Sequence, residues 1–142
     1  MKTETIILSI HPRHVEKILT GEKKYEYRKR IPDGVRYIIV YATYPVKKIM
    51  ALIEVESVLQ NTPSFIWLMT KEYAGISHQF FLKYFENKTV SYAVKFKHVF
   101  KVEPSLPIDI FGYSNGPQSY IYLNWSLCNI KSILQIKEDN SL

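Results

Sequence analysis

Residues 8–30 read LSIHPRHVEKILTGEKKYEYRKR, and this stretch places a short helix between two strands. Pro12 suits the first turn of a helix, because its missing backbone N–H has no hydrogen bond to make there. Three apolar residues then follow at helical spacing: Val15, Ile18 and Leu19. Gly21 comes directly after them, and glycine ends a helix well because it adopts a positive φ without steric cost. The pattern predicts an amphipathic helix over residues 12–20.

Both flanks of this helix show the alternation of a β-strand. Before the helix, apolar residues alternate along residues 5–10, and after it Tyr25 and Tyr27 alternate with charged residues within 23–30. The same periodicity predicts further strands at 35–44, 48–58 and 89–101. A change to helical spacing predicts short helices at 63–72 and 77–85.

The last third of the chain is expected to be irregular from Pro104 onward. We predict one more short element at 132–136 and a frayed tail over 137–142. About five strands and three short helices favour an α+β fold, namely a small, partly closed β-barrel with helices at its rim.

The composition is that of one globular domain of ordinary size. The chain has 142 residues, of which 46% are hydrophobic and 23% charged, which is enough to bury a core. Its only cysteine is Cys128, which excludes an internal disulfide and fits a reducing compartment. No apolar stretch approaches bilayer length, and no cleavable leader is recognisable. We expect a single cytoplasmic domain over residues 1–142 with no membrane partner.

The charge balance favours a polyanionic partner. Lys and Arg number 19 against 13 Asp and Glu, which gives a net charge of +6. Aromatic residues make up 14% of the chain. Such residues can form the core of a barrel, which is the more common use, and they also stack on nucleic acid bases.

Four residues form the pattern Gly-x-Lys-x-x-Glu-x-Arg where the first helix passes into a strand: Gly21, Lys23, Glu26 and Arg28. This pattern resembles the signature of ASCH domains, and residues 41–53 and 76–94 resemble later parts of that family. The resemblance spans about residues 4–125 and leaves 126–142 as a C-terminal extension. It implies a PUA-like β-barrel with a cleft beside the first helix.

The resemblance also implies that the signature residues line this cleft and that the cleft takes RNA or a modified nucleoside, which is an analogy from fold. The residue types suit such a ligand, because lysine and arginine bind phosphate and glutamate accepts hydrogen bonds from an exocyclic amine. In a straight strand Lys23 would face away from Glu26, so a bend just after Gly21 is required. We expect the ligand-binding residues to be Lys23, Glu26, Arg28, His11, Arg13, Tyr25 and Tyr27.

A small hydrolase acting on RNA or a modified nucleoside is the alternative. One branch of the superfamily hydrolyses acetylated cytidine with a lysine, a threonine three residues later and a distal glutamate. Lys23 and Glu72 match the lysine and the distal glutamate, but the threonine position holds Glu26. A carboxylate does not replace a threonine hydroxyl as nucleophile, so the sequence argues against that reaction. A different hydrolysis, of ribonuclease type for example, stays open, with Glu26 or Glu72 as general base and Lys23 stabilising charge.

A third interpretation is a regulatory or protein-interaction domain without chemistry. In that case the charged residues of the signature form a solvated ion-pair network on an edge strand. Three further lysines share one face of a predicted strand and are expected to face solvent: Lys95, Lys97 and Lys101. Four scattered histidines and one cysteine do not form a zinc pattern, so neither a metal nor another cofactor is expected.

Overall fold

The computed structural model describes residues 4–136, which form six strands and four α-helices. The strands are β1 (Thr5–Ile10), β2 (Tyr25–Arg28), β3 (Tyr37–Ala42), β4 (Lys48–Asn61), β5 (Ser91–Leu106) and β6 (Tyr120–Leu123). The α-helices are α1 (Pro12–Thr20), α2 (Pro63–Thr70), α3 (His78–Tyr84) and α4 (Leu127–Ile133). Two short 3-10 helices lie at Lys71–Tyr73 and Ile108–Phe111.

All six strands join one sheet in the order β2-β5-β4-β3-β1-β6. β1 and β3 are parallel, and the other neighbours are antiparallel. The pairing of the two longest strands, β4 and β5, contains register shifts, which bend a sheet and increase its twist. The sheet curls far enough that Arg28 on the edge strand β2 bonds Ser9 in β1, which lies beside the opposite edge. The predicted α+β fold, a small, partly closed mixed β-barrel with short helices, is confirmed as a curled six-stranded half-barrel.

Apolar side chains pack on both faces of the sheet, because successive residues of a strand point to opposite faces. In β1, Ile6 and Leu8 join one buried cluster with α1, and Ile7 joins another. α4 covers that second cluster with Ile130 and Leu134. The described part of the predicted C-terminal extension is therefore packed into the body of the domain.

A third, smaller cluster lies under α2 and α3 and is built largely from aromatic rings. Phe81 is fully buried at its centre, and the rings of Tyr27 and Phe85 contact it. Thr62 and Ser77 cap the two helices, because each side chain accepts a hydrogen bond from a backbone N–H in the first turn. The contact between the rings of Tyr27 and Phe81 holds α3 against β2.

The predicted helix over residues 12–20 is confirmed with its ends, and Gly21 closes it at φ 85°. Three expectations for the C-terminal third were wrong. β5 continues past Pro104 to Leu106, because a register shift absorbs the proline that lacks a backbone donor. β6 is an unexpected strand, paired with β1. The last helix lies at 127–133 rather than 132–136, and the predicted tail falls outside the described residues.

The loop that follows the 3-10 helix Lys71–Tyr73 crosses directly over Lys23. Gly75 makes this possible, since it has φ 69° and a Cβ at this position would lie 2.5 Å from the Cβ of Lys23. Lys23 is buried, so its stem has little room to move aside.

We expect Gly75→Ala to lower the free energy of unfolding by about 3 kcal/mol, from backbone strain and overpacking together. Urea denaturation measures this change. Gly21→Ala is the matched control, because Gly21 also has a positive φ but nothing lies within 4 Å of an added Cβ. The control should lose only about 1 kcal/mol, and equal losses at both positions would contradict this packing.

Candidate functional site

A pocket with a volume of about 230 Å³ lies where β1 ends and α1 begins, between β2 and α3. Its polar side is formed by Lys23, Glu26 and Arg28. Its aromatic side is formed by Tyr27, Phe80 and Tyr84. The rest of the lining comes from Ser9, Ile10, His11, His14 and Ile76.

Lys23 enters the pocket from the bend that follows α1. Its backbone N–H donates to the carbonyl of Lys17 at 3.0 Å, so the chain turns back on the helix before β2 begins. The side chain is only 2% exposed, and its Nζ donates to the carbonyl of Ala74 at 2.9 Å. The same Nζ lies 3.8 Å from Oε1 of Glu26 and 4.9 Å from the centre of the Tyr27 ring. The bend required by the sequence pattern is thus present.

Glu26 and Arg28 are neighbours on β2 because side chains two residues apart share a face of a strand. Oε2 of Glu26 accepts a hydrogen bond from Nε of Arg28 at 3.0 Å, and Nη2 lies at the same distance. Nη2 also donates to the carbonyl of Ser9 at 2.7 Å. Arg28 therefore links the edge strand β2 to the end of β1, and it holds both beside the pocket.

Burial dominates the electrostatics of the pocket. It lowers the pKa of Lys23 below the ordinary lysine value, while the carboxylate of Glu26 opposes that shift. Burial raises the pKa of Tyr27 to about 12. The Tyr27 hydroxyl donates to Oγ1 of Thr70 at 2.7 Å, since Thr70 itself donates to the carbonyl of Ile66. The Tyr27 side chain therefore stays uncharged at neutral pH and is held in place at the side of the pocket.

His14 lies on the pocket wall, three residues into α1. Its ring meets that of Phe80 edge-on, with 5.5 Å between the centres. Its buried Nδ1 has no hydrogen-bond partner among residues 4–136. Burial, helped by the charge of Lys23, lowers the pKa of His14. The imidazole is therefore neutral at neutral pH and able to accept a proton.

The structure brings together five of the eight residues predicted for the site: Lys23, Glu26, Arg28, Tyr27 and His11. His11 lies at the rim, where its Nδ1 accepts the backbone N–H of Arg13 and caps α1. The side chain of Arg13 is exposed and faces a different surface depression, with Glu16 and Lys17. Tyr25 packs against the third apolar cluster.

Glu72 lies outside the pocket as well, exposed on a 3-10 helix beside Lys17 and Glu22. It is not among the residues that line the pocket with Lys23, so the geometry does not support it as a general base there. Sequence reasoning missed His14, Phe80 and Tyr84. Phe80 and Tyr84 lie one turn apart on a serine-capped helix, and this spacing could have predicted that their rings share one face.

Among residues 4–136, no group of three or more histidine, cysteine, aspartate or glutamate side chains is placed to hold a metal ion. No helix in the same range is long and apolar enough to cross a membrane.

The chain matches one protein family over most of its length. The family model described as ASCH domain matches residues 8–106. The chain is 32% identical over 82 residues to an ASCH domain-containing ribonuclease from Zymomonas mobilis, a match that spans 56% of this chain and 55% of that protein. It is 28% identical over 123 residues to the large ribosomal subunit protein uL22 of Ureaplasma parvum, over 85% of this chain and 40% of that protein.

The chain therefore spans less than two thirds of the length of these curated relatives. A crystal structure of ASCH from Zymomonas mobilis superposes with a TM-score of 0.81 at 22% identity, over 95% of this chain and 96% of that chain. The likeness to that structure shows a shared fold.

Removing Glu26 leaves two cationic side chains without their shared carboxylate. We expect Glu26→Ala to lower the free energy of unfolding by about 3 kcal/mol, because it uncovers a buried lysine charge. Urea denaturation at neutral pH measures this loss. Glu56→Ala is the control, since Glu56 pairs with Lys95 at 3.2 Å on the exposed surface, and such pairs contribute little. A Glu26→Ala protein as stable as the control would show that the buried network does not stabilise the fold.

Proposed function

Because this chain belongs to the ASCH domain family, we propose that it binds RNA or a modified nucleoside and that one base enters the pocket beside α1. The observation that carries the proposal is that the charged side chains of the pocket lie next to its aromatic side chains. Lys23, Glu26 and Arg28 supply hydrogen-bond donors and acceptors, and the tyrosine and phenylalanine rings supply stacking surface. Single-stranded RNA is recognised by these same two kinds of contact.

The charge of the pocket suits an anionic or acceptor-rich ligand. Two cationic side chains, Lys23 and Arg28, share the single carboxylate of Glu26. With Lys23 protonated, this group keeps a net positive charge in a largely desolvated site, where interactions with a ligand are stronger than in water. The acceptor atoms of a base or the oxygens of a phosphate interact favourably with this net positive charge.

The size of the pocket limits what enters it. A volume of about 230 Å³ falls below the roughly 300–1,000 Å³ of sites for drug-sized ligands. One base or one nucleoside is therefore the appropriate occupant. This favours single-stranded or looped RNA, whose bases can turn outward, over a continuous duplex.

Fluorescence anisotropy with a labelled single-stranded RNA tests the proposal. We expect Phe80→Ala to weaken binding about tenfold through lost stacking, and Arg28→Ala to weaken it at least as much. Phe80 is 50% exposed, so its removal should leave the fold intact, which urea denaturation checks. Lys97→Ala, an exposed cation on β5, is the matched control. Loss of RNA binding in the control alone would refute the proposed pocket, and a wild type that binds no RNA would refute RNA as its ligand.

RNA cleavage is a second candidate, and His14 is the observation that favours it. In cleavage, a base takes the proton of the 2′-hydroxyl as its oxygen bonds to phosphorus, the bond from phosphorus to the 5′-oxygen breaks, and water protonates the departing oxygen. A cation near the phosphate stabilises the charge that develops. His14 is neutral because of its lowered pKa, and Lys23 and Arg28 line the same pocket. The curated relative from Zymomonas mobilis is named a ribonuclease.

If the protein cleaves RNA, we expect His14→Gln to reduce the cleavage rate by about 100-fold or more while RNA binding persists. Activity should decline only below the ordinary histidine pKa of about 6.5, because burial lowers the pKa of His14 and so delays its protonation. Gel analysis of labelled RNA across pH measures both effects. Glu72→Gln is the control, since Glu72 lies outside the pocket. Undiminished cleavage by His14→Gln would exclude this role.

A further inference from the structure

At the pocket, Arg28 joins the edge strand β2 to β1, which is the neighbour of the other edge strand, β6, and we call the line between the two edges the seam. Arg28 of β2 bonds the carbonyl of Ser9 at 2.7 Å. The backbone N–H of Ser9 in turn donates to the carbonyl of Ser119 at 2.9 Å, just before β6. Arg28 and Ser9 both line the pocket, so the pocket and the start of β6 are joined by two consecutive hydrogen bonds.

Beyond the pocket, the seam carries an arginine and two tyrosines. Arg30 is exposed and follows Arg28 by two residues. Burial is the main factor that raises the pKa of Tyr120, and the positive charge of Arg30 opposes that shift. Ile31, the residue after Arg30, packs against the same apolar cluster as Tyr120. Tyr122 is 53% exposed, and its ring centre lies 5.8 Å from that of Tyr120 at nearly a right angle. The two tyrosines share one face of β6, since they are two residues apart.

A further cation, Lys29, lies at the aromatic side of the pocket. Nζ of Lys29 lies 4.7 Å from the centre of the Tyr84 ring, and Tyr84 is a wall of the pocket. Arg28, Lys29 and Arg30 therefore give three successive positive charges, the first lining the pocket and the other two exposed.

We propose that Arg30, Tyr120 and Tyr122, which we call the seam surface, bind the single-stranded RNA nucleotides next to the base held in the pocket. The inference rests on the proposed function and makes a polymer, rather than a free nucleoside, the ligand of the whole surface. Tyr122 is exposed and Tyr120 is half-buried. Aromatic rings beside a cation are the contacts that single strands use, since bases stack on the rings and the cation meets the phosphate. The seam surface is continuous with the pocket through Arg28 and Ser9, so one strand reaches both.

The experiment compares two kinds of ligand on the same full-length variants. One is a fluorescein-labelled single-stranded RNA of about eight nucleotides, within the site sizes typical of such surfaces. The other is each of the four common ribonucleoside monophosphates, titrated by calorimetry. The variants are Tyr122→Ala, Tyr122→Phe and Arg30→Ala, with Tyr44→Ala as the matched control. Tyr44 is 80% exposed and lies in the turn between β3 and β4.

We expect Tyr122→Ala to weaken RNA binding about tenfold, while Tyr122→Phe and Tyr44→Ala bind like the wild type. Arg30→Ala should lower the slope of log affinity against log salt by about 0.7, the value for one phosphate contact on a single strand. None of these variants should change the binding of a monophosphate.

The outcomes separate this inference from the proposed function. If RNA binding depends on Arg28 and Phe80 but not on Tyr122 or Arg30, the pocket stands and the seam surface is refuted. If Tyr122→Ala weakens monophosphate binding as much as RNA binding, the seam surface is likewise refuted, because its effect then acts through the pocket. If the wild type binds a monophosphate but no RNA, the pocket stands as a nucleoside site and the seam surface is refuted. If it binds neither, both proposals fail.

Discussion

The carboxylate of Glu26 is the group on which the arrangement of the site depends. It lies between two cations, and each cation reaches a different part of the chain. Lys23 bonds the carbonyl of Ala74 in the loop before α3, and Arg28 bonds the carbonyl of Ser9 at the end of β1. Through these two cations, one buried side chain helps to fix the bend after α1, the loop before α3 and the contact between β2 and β1.

A gain in stability does not by itself explain why the protein has this buried network of Lys23, Glu26 and Arg28. Desolvating three charged groups costs much of what their mutual attraction returns, and apolar replacements are often as stable. Their position offers a better reason, because all three line the pocket and two of them leave it with excess positive charge. Charged groups retained in a partly buried cleft are typical of binding and catalytic sites.

Local chemistry predicted most of what surrounds the signature. Proline and glycine marked both ends of α1, and the conflict between Lys23 and Glu26 in a straight strand correctly required a bend. Tertiary contacts decided the rest. β6 is short and forms by pairing with β1, and Tyr25 packs in an apolar cluster rather than facing the cleft. Arg13 and Glu72 are close to the site along the chain, but the helices that carry them direct them to other surfaces.

The central claim is that RNA contacts the pocket rather than the general basic surface. Backbone amide chemical shifts of the ¹⁵N-labelled protein, followed during titration with a short single-stranded RNA, test it most directly. We predict that the shifts cluster in residues 9–14, 23–30 and 76–84, which surround the pocket, and leave the exposed lysines of β5 unchanged. Shifts confined to Lys95, Lys97 and Lys101, with the pocket residues unmoved, would contradict it.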